Sequence, residues 1–298
     1  MPTSTQPRSA RPYRRIPALL TSLLLPALVL ATPPERVVSV DGSLTEIVYA
    51  LGEADRLVAV DTTSTYPPEA LASLPNVGYM RQLSAEPILS LSPDLVLSSS
   101  DAGPPAALQQ LREAGVPVTG IENDTTAQGV LDKIRAVGEA LSVSDAAAAL
   151  AERVEAAFAE ARADVARYDD RPRVLCLLSA RGSPVAAGED TAAAHLIALA
   201  GGRNAVTGYS GYKPLNPEAA VALRPDVILL ADRTLKDLGG RETLLARPEL
   251  AATPAGQAGR VVTMDMMLML GFGPRTPEAV RRVAAAIRGG SEAAQAAP

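Results

Sequence analysis

A phenol and a guanidinium two positions apart are the residues of this 298-residue chain best suited to chemistry. Tyr79 and Arg81 stand in Asn76-Val77-Gly78-Tyr79-Met80-Arg81-Gln82-Leu83, a proline-flanked loop with a permissive glycine, between expected strand-helix units where ligands usually bind. A phenolate is a hard anionic ligand suited to ferric iron. A free phenol ionises only at about pH 10, so coordination at neutral pH needs the metal's charge and a nearby cation to stabilise the anion. In an extended segment, residues two apart point to the same side, which brings Arg81 within reach of the Tyr79 oxygen. Tyr79 is therefore a candidate iron ligand, and the alternative is a loop tyrosine with its ring tucked onto the fold.

The remaining chemistry-bearing residues narrow the choices. His195 is the only histidine, which removes any site built on two or three histidines, such as zinc or manganese capture. Cys176 is the only cysteine and sits in Val174-Leu175-Cys176-Leu177-Leu178, the setting of a buried strand residue. A formal charge of -5 and a pI of about 5.1 argue against a nucleic-acid partner. Lys133, Lys213 and Lys236 are the only lysines, so arginine supplies nearly all positive charge. No Gly-rich phosphate loop follows the first strand, no Gly-x-Ser-x-Gly elbow appears, and the lone histidine and cysteine lack an evident catalytic partnership; the chain does not read as an enzyme.

Short β-branched runs alternate with helical stretches, which implies parallel sheets with crossover helices. Strands are expected at Val37 to Val40, Leu57 to Val60, Asp94 to Leu97 and Val116 to Ile121 in the first half, and at Val174 to Leu178, Asp226 to Leu230 and Val261 to Met264 in the second. Between the halves, Ser144 to Tyr168 is rich in alanine, glutamate and arginine without glycine or proline, and reads as one long helix capped by Ser144 or Asp145. Leu83 to Leu97 recurs as Leu215 to Leu229 at a constant offset of 132 residues, each copy a short helix with an early glutamate, a Pro-Asp turn and a buried strand. The fold class that follows is α/β, with two Rossmann-like lobes on parallel sheets joined by one long interlobe helix. Such a single stiff connection favours a largely preformed cleft.

The expected divisions are a signal peptide at 1–31, a first lobe at 32–143, a linker helix at 144–169, and a second lobe at 170–298 whose tail is disordered from about 289. Arg8, Arg11, Arg14 and Arg15 precede the apolar run Ile16 to Leu30, which ends in Val29-Leu30-Ala31 with small-residue cleavage spacing. That run is about 15 residues, short of the roughly 20 a membrane-spanning helix needs.

With these residues in view, the chain resembles the class III substrate-binding proteins of ABC importers, and among them the periplasmic haemin-binding proteins of bacterial haem uptake. The likeness runs from Arg36-Val37-Val38-Ser39 through Thr45 to Gly52 and on to Leu270-Gly271-Phe272-Gly273-Pro274-Arg275-Thr276-Pro277-Glu278. Its most specific element is Gly78-Tyr79-Met80-Arg81-Gln82-Leu83-Ser84-Ala85-Glu86. The resemblance implies haem as a carried ligand, Tyr79 as axial ligand to its iron, and Arg81 as support for the phenolate. It further implies Glu86 and Glu218, one per lobe, as docking points on a permease dimer with its ATPase, and a monomeric periplasmic protein. Some relatives use a second-lobe histidine, which makes His195 a candidate second ligand; a packing or surface role for it stays open.

By the same 132-residue offset, Tyr79 falls on Gly211, so Tyr209, Tyr212 and Lys213 should face Tyr79 across the cleft. Their rings would stack on a porphyrin and Lys213 would meet a propionate, against the alternative of an ordinary surface loop. Met264, Met266, Met267 and Met269 read as flexible packing that also suits a flat apolar macrocycle, and Phe272 as a cleft wall. Asp41-Gly42-Ser43 reads as a helix cap. The competing ligands for the same architecture are a ferric siderophore or a corrinoid.

Overall fold

A computed structural model describes residues 32–289 together with Met1 and Thr3. The expected signal segment and the tail beyond Gly289 lie outside the described residues. Residues 33–289 form one compact unit.

The first lobe is built on β1 (Val37–Val40), β2 (Leu57–Val60), β3 (Leu95–Ser99) and β4 (Val118–Ile121), all parallel in the order β2-β1-β3-β4. Its helices are α1 (Gly42–Ala50), α2 (Pro68–Ser73), α3 (Ala85–Leu89), α4 (Pro105–Glu113) and α5 (Ala127–Ala140). The second lobe holds β5 (Arg173–Ala180), β6 (Ser183–Ala187), β7 (Arg203–Asn204), β8 (Tyr212–Pro214), β9 (Val227–Ala231) and β10 (Val261–Met264). Here β10, β9 and β5 run parallel, whereas β6 and β8 pair antiparallel on the far side of β5, so the second sheet is mixed and not purely parallel as expected. The physical reason is local: Arg181 and Gly182, both at positive φ, turn the chain straight back after β5, leaving no room for a crossover helix.

The linker is α6 (Ser144–Val165), 22 residues whose buried positions Ala147, Leu150, Ala151, Val154, Phe158 and Ala161 recur at helical spacing. Its N-cap is Val143 and neither Ser144 nor Asp145 caps it. Gly138 lets α5 and α6 approach closely, because a Cβ there would lie 2.1 Å from the Ala147 Cβ. One continuous apolar core runs from Val37, Leu44 and Leu97 through Ile134, Leu150 and Phe158 to Val174, Leu229 and Val280, so the lobes are not independently packed bodies. Cys176 lies in that core, where desolvation pushes its thiol up to about 12.

The 132-residue repeat has a structural cause. Asp94 accepts from the backbone amides of Glu35 and Arg36, and Asp226 accepts from that of Arg173, so each Pro-Asp turn pins the start of its lobe's central strand. Two further polar contacts cross between lobes. Glu46 on α1 accepts from the Arg275 backbone at 3.0 Å and its guanidinium at 2.9 Å, while Arg275 lies over the Tyr66 ring at 3.3 Å. Burial raises the Glu46 carboxyl above its ordinary value, and the bonds and charge of Arg275 pull it partly back. Glu46→Ala should strand the largely buried Arg275 and lower unfolding free energy by about 3 kcal/mol in urea titrations. A change within about 0.5 kcal/mol would show that this contact does not join the lobes energetically.

Candidate functional site

A cleft of about 910 Å³ opens between the lobes, and its lining follows from the strand direction. Asp41 follows β1, Thr62 and Thr63 follow β2, Asp101 follows β3 and Asn123 follows β4; from the second lobe Asp232 follows β9 and Asp265 follows β10. Ligands of open α/β sheets bind outside the carboxyl ends of the strands, and all of these residues lie there.

Tyr79 and Arg81 line this cleft. Their loop is held from below by Val77, Met80 and Leu83, each at most 6% exposed, while Tyr79 remains 39% exposed. Gly78 takes φ +98°, and its carbonyl accepts from the Thr62 amide at 2.9 Å. The Gln82 amide donates to the Tyr79 carbonyl at 2.8 Å, so the two side chains meet across a turn and not along the extended segment expected. Arg81 Nη1 donates to the Tyr79 oxygen at 3.3 Å, and Arg81 Nη2 lies 3.6 Å from Asp101 Oδ2.

Opposite them, Met266, Met267 and Leu270 give an apolar wall, with Met266 37% exposed. Arg233 and Lys236 on α9 (Asp232–Asp237) put two exposed cations on the same cleft. Sequence reasoning missed both. Their signal was the spacing of three on a short polar helix that begins where a buried strand ends.

The other expected site residues divide. Tyr212 is 41% exposed on β8, with its hydroxyl end against Thr191 and the Ala193 backbone. Desolvation of that end pushes the phenol up to about 12, and the Arg81 charge lowers it only in part, so Tyr212 stays protonated at neutral pH. Contrary to expectation, neither Tyr212, Tyr209 nor Lys213 lines the cleft. Tyr209 packs over Gly188 and donates to the Ala186 carbonyl at 3.3 Å, and Lys213 Nζ sits 4.7 Å above its ring, so these two satisfy each other on the sheet. Phe272 is not a cleft wall: it is 2% exposed in the shared core, held at φ +49°. His195 is half-buried on α7 (Ala192–Leu199), where Nδ1 meets Thr125 Oγ1 of the first lobe at 2.5 Å; it belongs to the lobe junction and not to the cleft lining. Met264 and Met269 are core. Asp41 caps α1 as expected, accepting from the Ser43 amide and hydroxyl, both at 2.7 Å. Glu86 on α3 and Glu218 on α8 (Pro217–Leu223) are exposed in the first turns of equivalent helices, and neither has an ion-pair partner among the described residues.

The fold and the cleft recur in known proteins. The periplasmic heme-binding protein RhuT from Roseiflexus sp. RS-1, in apo form, superposes with a TM-score of 0.83 at 44% identity, covering 88% of this chain and 99% of that one. The periplasmic heme-binding protein BhuT, solved with two hemes, gives 0.81 at 46% identity over 85% and 97%. Among curated proteins, an uncharacterized ABC transporter substrate-binding lipoprotein, YvrC of Bacillus subtilis, is 30% identical over 85% of this chain and 80% of its own length. A cobalamin-binding protein of Halobacterium salinarum is 32% identical over 87% and 70%. The periplasmic binding protein profile matches residues 37–267. With that match and its two α/β lobes bridged by one long helix, the chain belongs to the periplasmic binding protein family.

Proposed function

We propose that this chain captures ferric haem in the interlobe cleft and delivers it to an inner-membrane ABC permease and its ATPase. It works as an exported, monomeric periplasmic carrier that breaks no bond of its ligand. The observation that carries the reading is the exposed Tyr79 phenol at the cleft, hydrogen-bonded by Arg81 at 3.3 Å. One phenolate and one guanidinium supply a single anionic ligand, which suits iron whose equatorial positions are already filled by a macrocycle. The Met266, Met267 and Leu270 wall offers polarisable contact to a flat apolar ring, and Arg233 and Lys236 suit its carboxylates. The volume is within the range of about 300–1,000 Å³ typical of small-molecule sites. Haem-binding proteins at 44% and 46% identity support haem over the corrinoid named for the Halobacterium relative.

Haemin titration should produce a saturable Soret shift with a phenolate-to-iron charge-transfer band, whereas cyanocobalamin should give no spectral or calorimetric response. Binding of cyanocobalamin in place of haemin would establish the corrinoid reading. The double substitution Arg233→Ala, Lys236→Ala should weaken haemin binding by about tenfold, read in the same titration at low salt. An unchanged affinity would place the carboxylates elsewhere.

A further inference from the structure

Tyr79 is connected by an unbroken polar chain to the most deeply buried cation among the described residues. Lys133 on α5 is 1% exposed, and its Nζ donates to Asn123 Oδ1 at 2.7 Å. Asn123 Nδ2 donates to Asp101 Oδ2 at 2.8 Å, and that same oxygen faces Arg81 Nη2 at 3.6 Å. Arg81 Nη1 then reaches the Tyr79 oxygen at 3.3 Å. An amide between an ammonium and a carboxylate has one orientation that satisfies both, with its oxygen toward the lysine.

We propose that Asp101 positions Arg81 on the Tyr79 oxygen, and that Asn123 and Lys133 hold Asp101 for that task. The inference rests on the haem reading of the cleft. Arg81 and Asp101 have side chains 58% and 45% exposed, and an isolated pair so placed holds its geometry weakly, at about 0–1 kcal/mol. Asn123 changes this by clamping the Asp101 oxygen that Arg81 faces, while its own backbone amide is held by Ser100 Oγ at 3.1 Å. Lys133 in turn is fixed from three sides. Besides Asn123 it donates to Ser43 Oγ on α1 at 3.1 Å and to the Phe272 carbonyl of the second lobe at 3.2 Å. Burial disfavours its charge and holds the ammonium below its ordinary value, and the carboxylates of Asp41, Asp101, Glu46 and Asp124 offset that cost only in part. The cation that steadies the ligating phenolate is thereby anchored at the junction between the lobes, and Asp101, Asn123 and Lys133 act as positioning residues through Arg81.

The test uses the mature protein loaded with haemin and the variants Asp101→Asn, Asn123→Leu and their combination. Each single variant should shift the phenolate-to-iron charge-transfer band in the same direction and speed haem transfer to apomyoglobin by about fivefold, the equivalent of about 1 kcal/mol. Because both residues act through one chain of contacts, the double variant should match a single one within about twofold. The melting temperature of Asp101→Asn should stay within about 2 °C of the parent, since that side chain is exposed, whereas Asn123→Leu should melt a few degrees lower because the buried Lys133 ammonium loses its 2.7 Å acceptor. Unchanged bands in the single variants, or effects that simply multiply in the double variant, would overturn the positioning role. A Tyr79→Phe variant with the parent's spectrum would instead overturn the haem reading itself, so the two failures are separable.

Discussion

Tyr79→Phe is expected to reduce haemin affinity by about two orders of magnitude and to abolish the charge-transfer band, with no loss of stability. The substitution removes one oxygen and leaves the ring. That ring is 39% exposed, and its loop is fixed by Val77, Met80 and Leu83 in the core and by the Thr62 amide on the Gly78 carbonyl, none of which the phenol oxygen touches. What disappears is the phenol oxygen at the cleft, together with its 3.3 Å hydrogen bond from Arg81. Losing a metal-oxygen bond and its charge-assisted partner amounts to about 3 kcal/mol, which is about a hundredfold in dissociation constant. The apolar wall of Met266, Met267 and Leu270 remains, so residual binding persists with a spectrum lacking phenolate ligation. Equal affinity and an equal band in Tyr79→Phe would show that some other residue holds the iron. Arg81→Ala should lose less, about fivefold, because it supports the bond and does not form it.

The contrast between what could and could not be read from the sequence follows the same physics. Strands β1, β2 and β10 begin and end at the residues expected, because each is a short β-branched run bounded by turn-forming residues. The placement of Tyr79 and Arg81 at the cleft was legible because a permissive glycine precedes the phenol and the guanidinium follows two residues later in a loop between strand-helix units. Asp101, Asn123, Asp232 and Asp265 each come just past a parallel strand, the position that open α/β sheets turn toward a ligand cleft, so the strand ends themselves mark them. Lys133 was not legible at all. On helix periodicity it is one more charged residue of an amphipathic helix, and only the meeting of α1, the loop after β4 and the turn at Phe272 buries it with partners for its protons. Phe272 and the packing alternative for His195 were decided by contacts far apart in sequence. The turn around Phe272 resembles a cleft rim and His195 lies beside the apolar stripe of its helix, and the packing of one lobe on the other assigns Phe272 to the core and His195 to Thr125. The antiparallel edge, Ser183–Ala187 with Tyr212–Pro214, carries a proline in each strand and few β-branched residues, and so gave no strand signal.

Reversing both proposed docking charges, Glu86→Lys with Glu218→Lys, is expected to reduce haem uptake through a reconstituted permease by about two orders of magnitude while leaving haemin affinity within about twofold. Glu86 and Glu218 occupy the same position in the repeated helix-turn-strand unit, one on each lobe, in the first turns of α3 and α8. The macrodipole alone favours an acidic residue there, and that local preference would account for each separately. Both are exposed and neither carboxylate accepts a hydrogen bond or ion pair among the described residues, which distinguishes them from the acidic residues that serve the fold, such as Asp94 and Asp226 accepting backbone amides at the strand starts or Glu46 against Arg275. Charge pairs across an interface fix orientation and speed encounter, and each reversal replaces an attraction by a repulsion worth about 1–2 kcal/mol, so two together approach about a hundredfold. Neither residue lines the cleft, which is why ligand affinity should be spared. The single reversals should each give an intermediate loss, and the deficit should shrink as salt screens the contact. Uptake that survives the double reversal would rule out these two carboxylates as the docking points. A loss of haemin affinity as large as the loss of uptake would show that they act on the cleft and not on the permease.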